Sequence, residues 1–135
     1  MYILYICGMG GPSKIDEWFL QSDYDFETAE AMYASARYIY AIFMCHLSLE
    51  KALKGLYLKR KNEHPVKSHD LVYFVQKIEL EMKPEDYQFL VSINRLSVPT
   101  RYPDDLKKLI KSFTKDQTKK YLNSAKSIQQ WIKQQ

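Results

Sequence analysis

An all-α domain is the fold class this sequence predicts, on three observations. Apolar side chains recur at helical spacing along five or six segments. Gly 4 and Pro 5 are too few for the tight turns that an all-β chain of 135 residues needs. Apolar residues make up 46% of the chain, enough for one sizeable core and too many for global disorder. Four of the helical segments are long enough to build a bundle. No repeat, low-complexity tract or second domain is visible.

The chain opens on "YILYIC", residues 2–7, which is too short to span a bilayer. No basic residues precede it, so it is a poor signal peptide. Gly8, Gly10 and Gly11 then separate it from the rest. Residues 1–12 read as a flexible or extended N-terminal arm, with Met9 as an alternative start, and residues 13–135 as the helical domain. Cys7 and Cys45 have no metal-ligand spacing and fall in arm and helix respectively. Neither a disulfide nor a metal site is expected, and a reducing cytoplasm is the natural location.

The first helix should begin at Ser13, which can cap it, with Asp16 and Glu17 suiting the positive end of the helix dipole. Its inward stripe is Ile15, Trp18, Phe19, Ser22, Phe26, Ala29 and Met32/Tyr33. The second runs from about Arg37 to Lys61 and is the most apolar, so it should form the centre of the core. No strong breaker separates the two, and "ASA" at 34–36 is the expected turn because one helix of that combined length would not fit so small a domain. The polar stretch 59–70, which contains Pro65, is the clearest loop. Ser68 or Asp70 can cap the third helix, which carries Leu71, Phe74, Val75 and Ile78. Pro84 suits the first turn of the fourth, whose stripe is Tyr87, Leu90, Val91 and Asn94 and which should stop at Pro99. "VPTRYPDD" breaks the chain, with Asp104 as the expected cap of a short fifth helix. Thr114 with Gln117 forms a capping box for the last helix.

The net charge of +4 conceals an asymmetry. Residues 1–50 carry 2 basic and 7 acidic side chains, and residues 51–135 carry 18 and 9. A basic surface attracts phosphates or an acidic protein, although lysines also simply solvate helix faces.

Three polar groups stand out. His46, Glu50 and Lys54 recur every fourth residue and share a helix face. With Lys51 they form either a phosphate-binding stripe or an i, i+4 Glu–Lys pair worth about 0.3–0.5 kcal/mol. Ser68–His69–Asp70 at a helix start offers either a proton-transfer histidine or a cap. Arg95, Arg101 and Tyr102 surround Pro99 and offer either phosphate forks with a base-stacking ring or a paired, capped helix restart. Cys45–His46 are neighbours on a helix, point about 100° apart, and make a poor dyad. No glycine-rich phosphate loop, HExxH, CxxC or histidine cluster is present.

Trp18, Asp25–Phe26 with Ala29, "LEKALKGLYL", "SHDL" and "TRYPD" occur in one order over about residues 13–133. In that order they resemble the HEPN domain, named for nucleotide binding in prokaryotes and higher eukaryotes. The resemblance implies an up-and-down four-helix bundle with one or two additional short helices, commonly a homodimer. It also implies pairing with a minimal nucleotidyltransferase, in some cases as a toxin–antitoxin system whose HEPN member is a metal-independent ribonuclease. The ribonuclease members carry Arg, about four to six residues, then His. From Arg95 the histidine would fall at Thr100, Arg101 or Tyr102, and from Arg101 at Leu106, Lys107 or Lys108. The motif is not present, so the general acid–base partner is missing. A helix position that the family often fills with Gln holds His46 or Leu47 here.

The expectation is a non-catalytic module without cofactor or metal. It would bind nucleotide, RNA or a nucleotidyltransferase partner, and no membrane, through Glu50, Lys51, Lys54, His69, Arg95, Arg101 and Tyr102. The rivals are a divergent ribonuclease in which His69 replaces the missing histidine, and a purely structural dimer whose charged faces dock a catalytic partner.

Overall fold

The computed structural model describes residues 13–96 and 102–135. The expected arm, with Cys7 and Met9, lies outside the described residues, as do the Pro99 break and Arg101. Among the described residues there are six helices and no strand: α1 (Lys14–Ala34), α2 (Tyr38–Lys61), α3 (Leu71–Lys77), α4 (Pro84–Leu96), α5 (Pro103–Ser112) and α6 (Lys115–Lys133). Four are long and two, α3 and α5, are short.

Local chemistry sets most boundaries. At the start of α1, the Ser13 hydroxyl accepts the Asp16 N–H at 3.1 Å, and the Asp16 carboxylate accepts the Ser13 N–H. Thr114 and Gln117 repeat this reciprocal arrangement at the start of α6. Asp70 caps α3 by accepting the N–H groups of Val72 and Tyr73. At α5 the expectation needs correction. Tyr102 is the N-cap residue and makes no side-chain bond there, Pro103 occupies the first turn, and Asp104 lies inside the helix. Proline preorganises that turn without needing a donor.

The turn between α1 and α2 is Ser35–Arg37, one residue later than the expected 34–36 because Ala34 still belongs to α1. Ala36 adopts φ 61°. The Arg37 N–H donates to the Met32 carbonyl at 2.8 Å and the Ala36 N–H to the Tyr33 carbonyl at 3.0 Å. This is a Schellman closure with alanine where glycine is usual. Glu79, at φ 50°, closes α3 in the same way.

α2 lies at the centre and packs against α1, α6, α3 and α4. Leu49, Leu53 and Leu56 are fully buried on it and meet Phe74, Leu90 and Ile128 from the neighbouring helices. Gly55 marks the close approach of α1, because a Cβ there would stand 2.6 Å from the Phe19 ring. A polar clasp holds α1, α2 and α6 in register. Ser22 and Ser48 each donate a hydroxyl to the other's carbonyl, at 2.6 and 2.8 Å. Gln129 then donates to the Ser22 hydroxyl and to Asp23, which also pairs with Lys133. Every buried donor in the clasp finds an acceptor, as a polar network in a core requires. α5 buries no residue, and Tyr102 and Ile110 are exposed.

Candidate functional site

The face shared by His46, Glu50 and Lys54 points into the protein: all three are buried. Glu50 is the centre of the site. Its Oε2 accepts the Lys54 ammonium at 2.9 Å, and its Oε1 faces His69 Nδ1, also at 2.9 Å. A carboxylate only accepts, so His69 carries its proton on Nδ1. The burial is uneven. The Glu50 side chain is 2% exposed and the Lys54 side chain 9%, but that of His69 is 59% exposed. A sequestered ion pair thus grips one nitrogen of an imidazole whose ring reaches the surface.

Aromatic rings wall in the cation. The Lys54 ammonium lies 5.6 Å from the centre of the Trp18 ring and 5.7 Å from that of Phe74. Cation–π attraction on both rings, added to the Glu50 contact, offsets part of the cost of taking an ammonium out of water.

A second chain of hydrogen bonds fixes the backbone next to His69. Asp70, besides capping α3, accepts from Asn94 Nδ2 at 2.9 Å. Asn94 Oδ1 accepts the Leu71 N–H at 3.1 Å and faces His46 Nε2 at 3.2 Å. The amide orientation follows from the Leu71 donor and the Asp70 acceptor, so His46 Nε2 must be the protonated nitrogen. His46 Nδ1 is buried and has no partner among the described residues. Burial lowers the His46 pKa, against the opposing pull of Asn94 and the Glu50 charge. His46 is therefore a neutral core histidine, whereas His69 is its exposed counterpart.

Of the other residues expected from the sequence, Arg101 lies outside the described residues, and Lys51, Arg95 and Tyr102 make no hydrogen bond or ion pair with Glu50. Lys51 pairs with Asp25 at 3.0 Å across the α1–α2 interface. Arg95 is exposed in the last turn of α4, one residue beyond Asn94, and Tyr102 is exposed at the start of α5. Cys45 is buried beside His46 in sequence, and burial, with Glu30 nearby, pushes its thiol up to about 12. It is an inert thiol at neutral pH. Sequence reasoning did not place Asn94 or Trp18 among the site residues, because both fall within apolar stripes. A polar side chain in the stripe of α4 was the available signal for Asn94.

Among the described residues no group of three or more metal-ligating side chains occurs. No helix among them is long and apolar enough to cross a membrane. What the site offers is a positioned imidazole and buried charges that neutralise one another.

Comparison with known proteins agrees with this architecture. A sequence model of the HEPN domain matches residues 15–135. The crystal structure of TT1696 from Thermus thermophilus superposes with a TM-score of 0.77 at 18% identity, covering 91% of this chain and 98% of that one. The structure of ST0689, an archaeal HEPN homologue, gives a TM-score of 0.67 at 24% identity, covering 88% and 94%. At these identities the likeness is one of fold. No curated protein is significantly similar in sequence.

Proposed function

We propose a phosphate-recognising binding function for this chain, which belongs to the HEPN domain family. His69 is the contact residue, and the ligand is the phosphate of a nucleotide or of RNA. The observation that carries this reading is the contact at 2.9 Å between the buried Glu50 carboxylate and Nδ1 of an exposed histidine. Glu50 already has Lys54 to balance its charge. The further partner is a titratable group at the surface, oriented by a carboxylate that cannot itself reach solvent. When an anion approaches, His69 takes up a proton from solvent on Nε2 and donates a hydrogen bond through that N–H to a phosphate oxygen, and Glu50 stabilises the resulting imidazolium.

The remaining candidates take roles consistent with their positions. Lys54 is committed to Glu50 and balances its charge. Lys51 is committed to Asp25 and braces the helix pair. Arg95 is an exposed cation for a second phosphate oxygen, with Arg101 and Tyr102 further along the chain. Docking of a minimal nucleotidyltransferase, as in a toxin–antitoxin pair, draws support from the charge asymmetry between residues 1–50 and 51–135. Calorimetric titration with AMP, GMP and short RNA tests the phosphate reading. Saturable binding that is lost or clearly weakened in His69→Ala supports it. Absence of heat with all three, or identical heat in His69→Ala, rejects it.

The same contact favours a second reading, RNA cleavage with His69 as general base and Glu50 as the group that orients it. Here Nε2 must be unprotonated before reaction, the opposite of the binding state. Incubation of structured RNA with the protein in excess chelator decides. Cleavage that disappears in His69→Ala supports catalysis, and intact RNA leaves binding alone.

A further inference from the structure

We infer that a groove beside Trp18 is a subsite for a planar heteroaromatic ring, purine before pyrimidine. Lys14, Glu17, Trp18 and Gln21 line it from successive turns of α1, and His64 closes it from the loop after α2. Its volume of about 460 Å³ is in the range of small-ligand sites. Lys14 and Glu17 form an ion pair at 3.1 Å, so they add little net charge to it.

Three features point to a flat ring. The Trp18 indole is half-buried with the Lys54 ammonium 5.6 Å from its ring centre, and its Cβ sits where α1 and α2 approach closely at Gly55. A preorganised aromatic surface offers stacking at small entropic cost. The Lys54 ammonium over the indole draws electron density from it. An indole so polarised favours an electron-rich ring stacked on the surface that Lys54 leaves open, and purines present the larger face. Gln21 brings an amide with both donors and an acceptor, and His64 an imidazole. Among the described residues neither side chain has a hydrogen-bond partner. Such groups at the edge of a stacking platform are suited to a base edge.

The position of the groove also relates it to His69. The Lys54 ammonium lies over the Trp18 ring, Lys54 is bonded to Glu50, and Glu50 is bonded to His69. His64 and His69 lie on the same interhelical loop, residues 62–70. A nucleotide with its base on Trp18 would extend its phosphate along that loop toward His69. This orientation rests on the phosphate reading above, whereas ring recognition by Trp18 stands separately.

Fluorescence tests the two parts independently. Trp131→Phe leaves Trp18 as the one indole of the chain, which has Trp 2. Adenosine, AMP, ribose 5-phosphate and inorganic phosphate are titrated into this variant. Saturable quenching by adenosine and AMP, with none by ribose 5-phosphate or phosphate, is expected. In calorimetry on the otherwise natural chain, Trp18→Leu should weaken adenosine binding about tenfold or more. Trp18→Phe, which keeps an aromatic ring and the packing, should retain most of it. His69→Ala should remove the advantage of AMP over adenosine and leave adenosine quenching intact. No saturable quenching by adenosine or AMP, or equal adenosine affinity in Trp18→Leu, overturns the inference. Equal affinity of the natural chain for adenosine and AMP instead overturns the phosphate reading and leaves the ring subsite standing.

Discussion

Glu50 governs the site at the scale of single residues. Its spacing suggests a surface-type pair with Lys54, but burial changes the consequence of breaking that pair. Glu50→Gln keeps the size and part of the hydrogen bonding, and strands the Lys54 charge between two aromatic rings. Loss of one partner of a buried pair costs on the order of 3–5 kcal/mol, and a drop of that size in urea unfolding is expected. Replacing both residues at once, Glu50→Leu with Lys54→Met, should recover most of the stability while releasing His69. His46 gives a separate, pH-dependent prediction. Its folded pKa lies below the ordinary value of 6.5, so below that value the unfolded chain binds more protons than the folded one. The contribution of neutral His46 is complete above about pH 6.5 and is lost as pH falls through the window between that value and the lowered folded pKa. Stability should therefore decline across this window, and His46→Gln should flatten the decline in denaturant titrations at stepped pH. Spacing alone places His46, Glu50 and Lys54 on one face. Whether that face looks inward is not legible, because a buried polar stripe and a solvated one have the same period. Asn94 is hidden for the converse reason: its place among Leu90 and Ile93 reads as core, and its bonds to His46, Asp70 and Leu71 reach positions distant in sequence.

Elements are the more legible level. Ser13, Asp70, Thr114 and Gln117 act locally, through bonds that span two or three residues, and sequence carries that information directly. The α1–α2 turn is marked only weakly by "ASA", since its left-handed residue is alanine. Because that conformation costs a residue with a Cβ about 1–2 kcal/mol, Ala36→Gly should stabilise the chain. The greater freedom of glycine in the unfolded state offsets about 0.4–1 kcal/mol, so a net gain of up to roughly 1.6 kcal/mol in the unfolding free energy is expected. A loss would show that the strain at Ala36 is relieved elsewhere in the turn. The cap of α5 falls at Tyr102 and not at Asp104 because proline and aspartate each signal a helix start, and Pro103 takes the first position. That helix buries nothing, so packing does not help to set its ends.

For the whole molecule, composition and periodicity are sufficient to indicate a helical bundle, and the motif order to indicate the family. The arrangement around Glu50 needs the structure, because α2, the loop 62–70 and α4 converge only in three dimensions. Their convergence is the basis of the proposed function, in which a buried carboxylate holds an exposed imidazole ready to receive a phosphate. Nitrogen NMR of the His69 ring, in chain labelled with ¹⁵N-histidine and titrated with AMP, tests it most directly. A saturable change at Nε2 from the unprotonated to the protonated shift is expected, with Nδ1 remaining bonded to Glu50 and no such change at His46. His69 nitrogens that stay unchanged at saturating AMP, or that stay unprotonated at Nε2 while AMP is bound, would contradict it.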